Sequence, residues 1–109
     1  MTLEATLNVT VDEDVVFVFH VVNTGPEPVD LTFRSGQSAD VSVYAEDDEL
    51  VWRWSSDKMF TQAIETETLE PEQTLERVYT WENPPSGDYT AVAALEADVE
   101  VDARTEVSV

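Results

Sequence analysis

The chain has no cysteine, one histidine (His20), one lysine (Lys58), one isoleucine (Ile64) and three glycines in 109 residues. Without cysteine there is neither a disulfide framework nor a thiolate metal site. Three scattered glycines cannot make a phosphate-cradling loop, and no other motif for a cofactor is present, so none is expected. His20 lies in the most apolar stretch of the chain, and no G-x-S-x-G elbow or related exposed serine turn accompanies it. A nucleophilic triad needs both, so no catalytic residue is assigned and the chain is not read as an enzyme. His20 is read instead as a histidine packed on a sheet face with one ring nitrogen bonded. No apolar run approaches the roughly 20 residues of a membrane helix. Residues 1–20 carry no basic side chain ahead of their apolar stretch, and Asp12, Glu13 and Asp14 interrupt it, so no secretory signal is read there. A cytoplasmic location is expected.

Positive charge is also scarce. Five lysines and arginines face 24 aspartates and glutamates, a formal charge of −19. A sphere-like domain of this length has a radius of gyration of roughly 13 Å, so these charges repel across about one Debye length at physiological salt. Molar salt shortens that length to about 3 Å and removes most of the repulsion. Arg34, Arg53, Arg77 and Arg104 outnumber the lone lysine, as a hydrated acidic surface thinned of lysine would show. The charge therefore points to a salt-accumulating cytoplasm, and it argues against nucleic acid or an anionic membrane as partner.

What the chain does have is valine, 17 times, and threonine, 12 times, a β-branched excess that favours strands. Leu3, Ala5, Leu7, Val9 and Val11 alternate with polar residues as in a half-buried strand. Residues 15–22 are apolar on both faces, which suits a central strand covered above and below. A turn at residues 23–26 ends it. Val29, Leu31 and Phe33, then Val41 and Val43, then Leu50, Trp52 and Trp54 continue the alternation, with Glu46, Asp47, Asp48 and Glu49 as a hairpin loop. Residues 55–72 have poor periodicity and fit a helical turn or an irregular strand equally. Strand pattern resumes over 73–81, and residues 83–87 (Asn-Pro-Pro-Ser-Gly) give the strongest turn signal. From Tyr89 to Val109 nearly every odd position is apolar. One strand of that length would span about 70 Å, so the chain must reverse, with the acidic residues 96–102 as the site. The sum is an all-β, immunoglobulin-like two-sheet antiparallel sandwich of seven to eight strands in one domain, residues 1–109. Tyr89 after Gly87 matches a tyrosine corner, in which the phenol bonds back to an upstream backbone group.

Carboxylate pairs arise by chance in such a composition and identify nothing. Asp12, Glu13 and Asp14, like residues 46–49, lack the alternate-position spacing and glycine of a calcium loop, so they read as solvated turns and no metal site is expected. The segment that stands out is Trp52, Arg53, Trp54, Ser55, Ser56, Asp57, Lys58, Met59, Phe60, Thr61 and Gln62. It joins two tryptophans and an apolar pair to a stretch without strand periodicity, which is where a binding module places its contacts. Alternatively, Trp52, Trp54 and Phe60 fill one end of the core.

Several blocks resemble the BsuPI-type intracellular proteinase inhibitors. They are Asn23; Leu31-Thr32-Phe33; Ser35-Gly36-Gln37 with Asp40; Val51-Trp52-Arg53-Trp54-Ser55; Lys58-Met59-Phe60-Thr61-Gln62-Ala63; Leu69 with Pro71; Trp81; and Gly87 with Tyr89. The resemblance implies a cytoplasmic immunoglobulin-like domain that inhibits an intracellular subtilisin-type serine protease. Two positions depart from the pattern: Glu72 follows Pro71, and Asp48 lies in the hairpin loop, each where glycine is common. Inhibition requires a stiff, extended loop, so that little entropy is lost on docking. Ser55, Ser56, Asp57, Lys58, Met59 and Phe60 are the candidate protease-contact loop, with residues 35–40 and 83–88 as fallbacks. Ser35, Gly36, Gln37, Asp40, Trp52, Trp54, Gln62 and Trp81 are the candidate bracing residues. The same blocks also fit an architectural role in a non-inhibitory protein–protein interaction module.

Overall fold

A computed structural model describes residues 2–109, apart from the side chain of Asp57. The strands are β1 (Leu3–Val11), β2 (Val15–Asn23), β3 (Val29–Phe33), β4 (Ala39–Ala45), β5 (Leu50–Arg53), β6 (Glu65–Leu69), β7 (Thr74–Trp81), β8 (Asp88–Leu95) and β9 (Asp102–Ser108). A short 3-10 helix, Trp54–Asp57, follows β5. Every pairing is antiparallel, in the orders β1-β2-β7, β3-β6 and β5-β4-β8-β9. The layers enclose one core in which Val15, Phe17, Phe19 and Val21 of β2 meet Val41 and Val43 of β4 and Ala91 and Ala93 of β8. β1 packs beside β9 and closes one flank. At the other flank β5 and β7 are joined by rings, with Trp52 stacked between Phe17 at 6.1 Å and Trp81 at 5.7 Å.

The described residues form nine strands, close to the expected sandwich of about seven to eight, with one strand more. The additional one is β6, inside the stretch that lacked periodicity. Only Leu69 of its five residues is buried, so burial left no alternation in the sequence. Its strand geometry comes from backbone pairing with β3 across the register Val29↔Leu69 to Phe33↔Glu65. A second correction concerns β2, which is buried on its odd-numbered face alone. Val16, Val18, His20 and Val22 on the other face are half-buried beside neighbours in β1 and β7, and no further layer of the described residues covers them.

The reversal expected between Tyr89 and Val109 occurs at residues 96–101, where β8 gives way to β9. That connection is tied to β3: Asp98 N–H donates to Thr32 O at 3.1 Å, and Thr32 N–H donates to Asp98 Oδ1 at 3.0 Å. The tyrosine corner is also present. The Tyr89 hydroxyl donates to Pro85 O at 2.8 Å; a Cβ at Gly87 would crowd that hydroxyl at 3.1 Å, and the φ of 155° at Gly87 is backbone that favours glycine.

Candidate functional site

The Ser-Gly-Gln block, the Asp40 position and the Trp-Ser to Met-Phe-Thr-Gln block converge at one end of the sandwich. β4 begins there, and β5 ends there because it runs antiparallel to β4 with Ser42 opposite Arg53. The chain leaves β5 through the 3-10 helix, whose first amides have no partner within so short a turn. Asp40 supplies one: its Oδ1 accepts from Ser55 N–H at 3.2 Å and its Oδ2 accepts from the Ser55 hydroxyl at 2.5 Å. Asp40 Oδ1 also accepts from Val41 N–H at 2.9 Å, which fixes the carboxylate to its own strand. The Arg53 guanidinium lies 4.0 Å away.

Residues 58–64 then run without regular structure to β6 and are tied at three points. Lys58 N–H donates to Ser55 O at 3.1 Å. The Phe60 ring turns back onto Trp54, with centroids 5.7 Å apart, and Trp54 in turn meets the ring of Tyr79 edge-on at 4.8 Å. Further along, Gly36 N–H donates to Thr61 O at 2.9 Å. A Cβ on Gly36 would come within 2.9 Å of Thr61 Oγ1, so glycine is needed for the two loops to touch. The Ser35 hydroxyl accepts from Gln37 N–H at 3.2 Å, and Arg77 Nε donates to the Ser38 hydroxyl at 2.8 Å, which holds the supporting loop to β7.

The candidate contact residues divide under this geometry. Ser55 and Phe60 are half-buried and face their braces, whereas Ser56, Lys58 and Met59 are exposed. The Asp57 side chain lies outside the described residues. Met59 is 98% exposed, in contrast to its neighbour on Trp54. Lys58 Nζ stands 5.1 Å from the centre of the Trp54 ring, within cation–π range. Among the candidate bracing residues, Gly36, Asp40 and Trp54 make the contacts described, and Ser35 and Gln37 shape the supporting loop. Trp52 and Trp81 stack on one another at the β5–β7 flank, and Gln62 is exposed. One participant, Tyr79, was not singled out from sequence, being hidden among the alternating positions of β7.

Several titratable groups outside this loop have hydrogen-bond partners. His20 Nε2 lies 2.9 Å from Glu76 Oε2 on the outer face of the sheet, the one-bonded arrangement expected for it. Asp14 Oδ1 accepts from Asn83 N–H at 3.1 Å, which joins the β1–β2 turn to the connection after β7, and Asp47 Oδ1 accepts from Glu49 N–H at 3.2 Å within the hairpin turn. Burial pushes the Tyr79 phenol up to about 12; nearby Arg77 opposes this, and Asp40 and Glu96 add to it. Asn23 is fully buried and satisfied, donating to Glu27 O and Leu69 O and accepting from Gly25 N–H, so it joins two turns at one end of β2. Among the described residues no helix is long and apolar enough to cross a membrane.

These features define an immunoglobulin-like antiparallel sandwich that carries an irregular, solvent-facing loop tied to its frame by side chains. The family model for BsuPI, intracellular proteinase inhibitor, matches residues 2–100, and the chain belongs to that family. β9, which lies wholly beyond the matched span, pairs with β8 along its length. No curated protein matches the chain. Solved structures resemble it in fold. The CARDB domain of PF1109 from Pyrococcus furiosus, in complex with di-metal ions, aligns over 98% of this chain and 91% of its own, at 20% identity and a TM-score of 0.53. Spo0M, a sporulation control protein from Bacillus subtilis, aligns over 98% of this chain and 48% of its own, at 16% identity and a TM-score of 0.55. A penta-heme cytochrome c552 from Thermochromatium tepidum gives a TM-score of 0.60 at 10% identity over 96% of this chain, which spans only 39% of that protein.

Proposed function

We propose that the chain is a non-catalytic inhibitor of a cytoplasmic subtilisin-type serine protease, and that residues 58–64 are the segment that enters the protease cleft. Membership of an intracellular proteinase inhibitor family supports the activity. The observation that carries the choice of segment is the contrast between a fully presented Met59 and the tied positions around it. A protease binds an extended stretch of chain, and a loop already held in one shape loses less conformational entropy on docking. With no disulfide to stiffen it, this loop relies on Asp40, Trp54 and Gly36. Subtilisin-type clefts accept large apolar side chains, which suits the Met59 thioether.

Titration of the purified protein against a salt-tolerant subtilisin-type protease in molar potassium chloride tests the reading. Stoichiometric loss of protease activity is expected. No effect at micromolar excess would favour the alternative, a sandwich module that binds other proteins without inhibiting them.

A further inference from the structure

The geometry points to Met59 as the side chain that fills the primary specificity pocket of the protease, with Phe60 as the residue that positions it; this rests on the inhibitory reading above. Lys58 has extended backbone, φ −113° and ψ 151°, so the chain enters Met59 as a strand-like segment. Neighbouring side chains of extended backbone point to opposite sides. Seating the Phe60 ring on Trp54 therefore turns Met59 outward, and the exposures agree: Phe60 is half-buried and Met59 is 98% exposed. The hydrogen bonds at Lys58 N–H and Thr61 O bracket these two residues, so Met59 is presented from a short span fixed on both sides.

Other exposed apolar side chains are less suited. Ile64 lies beyond the Thr61 tie, immediately before β6, and its branched Cβ is stiff and wide at the point where a pocket must close around it. Val78 stands on a paired strand, whose backbone cannot enter a cleft. The chemistry of Met59 then defines the target class. An unbranched, flexible thioether fits a deep apolar pocket and offers nothing to a pocket with a carboxylate at its base, so the partner is a protease that cleaves after large apolar residues and not after lysine or arginine.

A change of specificity tests this. Met59→Lys, Met59→Leu and Ile64→Ala would be measured against two enzymes, a subtilisin-type protease with an apolar pocket and trypsin, after circular dichroism confirms an unchanged fold. The readout is the ratio of the two inhibition constants. Met59→Lys should move that ratio at least a hundredfold toward trypsin, while Met59→Leu and Ile64→Ala keep it within about tenfold. Wild-type inhibition combined with a smaller shift for Met59→Lys overturns the assignment of Met59 and leaves the inhibitory reading standing. A wild type that inhibits neither enzyme overturns both. For Phe60 the readout is cleavage. Phe60→Ala should turn the inhibitor into a substrate, water adding across the 59–60 amide to leave a carboxylate on Met59 and an amine on residue 60. Phe60→Tyr should restore resistance, and equal resistance in Phe60→Ala removes the positioning role.

Discussion

Among the described residues three other than glycine adopt left-handed backbone: Glu72 at φ 68°, Asp48 at φ 64° and Asn83 at φ 49°. Asparagine and aspartate tolerate that region because a short polar side chain can bond locally, whereas glutamate has no such compensation. Glu72 and Asp48, the two positions where the resemblance implies glycine, thus both adopt backbone that glycine takes up without strain. Glu72→Gly should therefore stabilise the fold by about 1 kcal/mol, the relief of left-handed strain outweighing the added freedom of the unfolded chain. Asp48→Gly should gain less. Urea melts of both variants in molar salt check the ranking, and equal or negative changes would refute it. Tyr79 makes a second prediction at this scale. An unfolded chain releases the phenol proton near pH 10 and the folded chain holds it to about 12, so the unfolded state binds fewer protons in that window and stability falls as pH rises through it. Below pH 10 the contribution is fully present, and its loss is on the order of 2 kcal/mol. Tyrosinate absorbance should show one late-titrating phenol that Tyr79→Phe removes, together with part of the alkaline loss of stability.

Among the elements, the contact loop and its support behave as a pair. Gly36→Ala forces a methyl group against Thr61 and should loosen residues 58–64 without disturbing the core. Thermolysin should then nick the variant within that span at least about tenfold faster than the wild type, since local opening governs cleavage; equal rates would show that the Gly36 contact holds nothing. The sequence made the individual parts visible but not their joining. Gly36, Asp40, Trp54, Ser55 and Phe60 could each be named from motif blocks. That Asp40 caps the turn at Ser55, and that Phe60 faces inward where Met59 faces outward, depends on contacts between residues 6 to 25 positions apart, which no local pattern encodes. Strands with a buried face, such as β4 and β8, announced themselves by alternation. β6 did not, because Glu65, Thr66, Glu67 and Thr68 all face solvent. β2 was legible as a strand yet misleading about its surroundings, since valines on a half-buried outer face look the same in sequence as valines under a second layer.

For the molecule as a whole, charge and shape act together. The radius of gyration is 14.6 Å with extents of 43 × 29 × 24 Å, slightly more elongated than the sphere expected from length. Elongation spreads the net charge of −19, yet the surface remains within one to two Debye lengths of itself at low salt. Arg77 approaches Glu67 at 3.9 Å and Arg53 approaches Asp40 at 4.0 Å, and five cations cannot serve 24 carboxylates. Raising potassium chloride from tens of millimolar to molar should increase the melting temperature by more than about 10 °C, and desalting should unfold the chain reversibly. A melt insensitive to ionic strength would contradict the link between composition and habitat.

The stacked indoles at the flank have an optical consequence. Trp52 and Trp81 lie 5.7 Å apart with only 21° between their planes, one from each sheet, so their excited states are coupled and their transition dipoles are read together. Their circular-dichroism exciton couplet should vanish when the two sheets part along that seam, even if each sheet keeps its own hydrogen bonds. The protein thus carries a built-in gauge of whether its layers are closed, one that needs no label and reports separately from backbone unfolding.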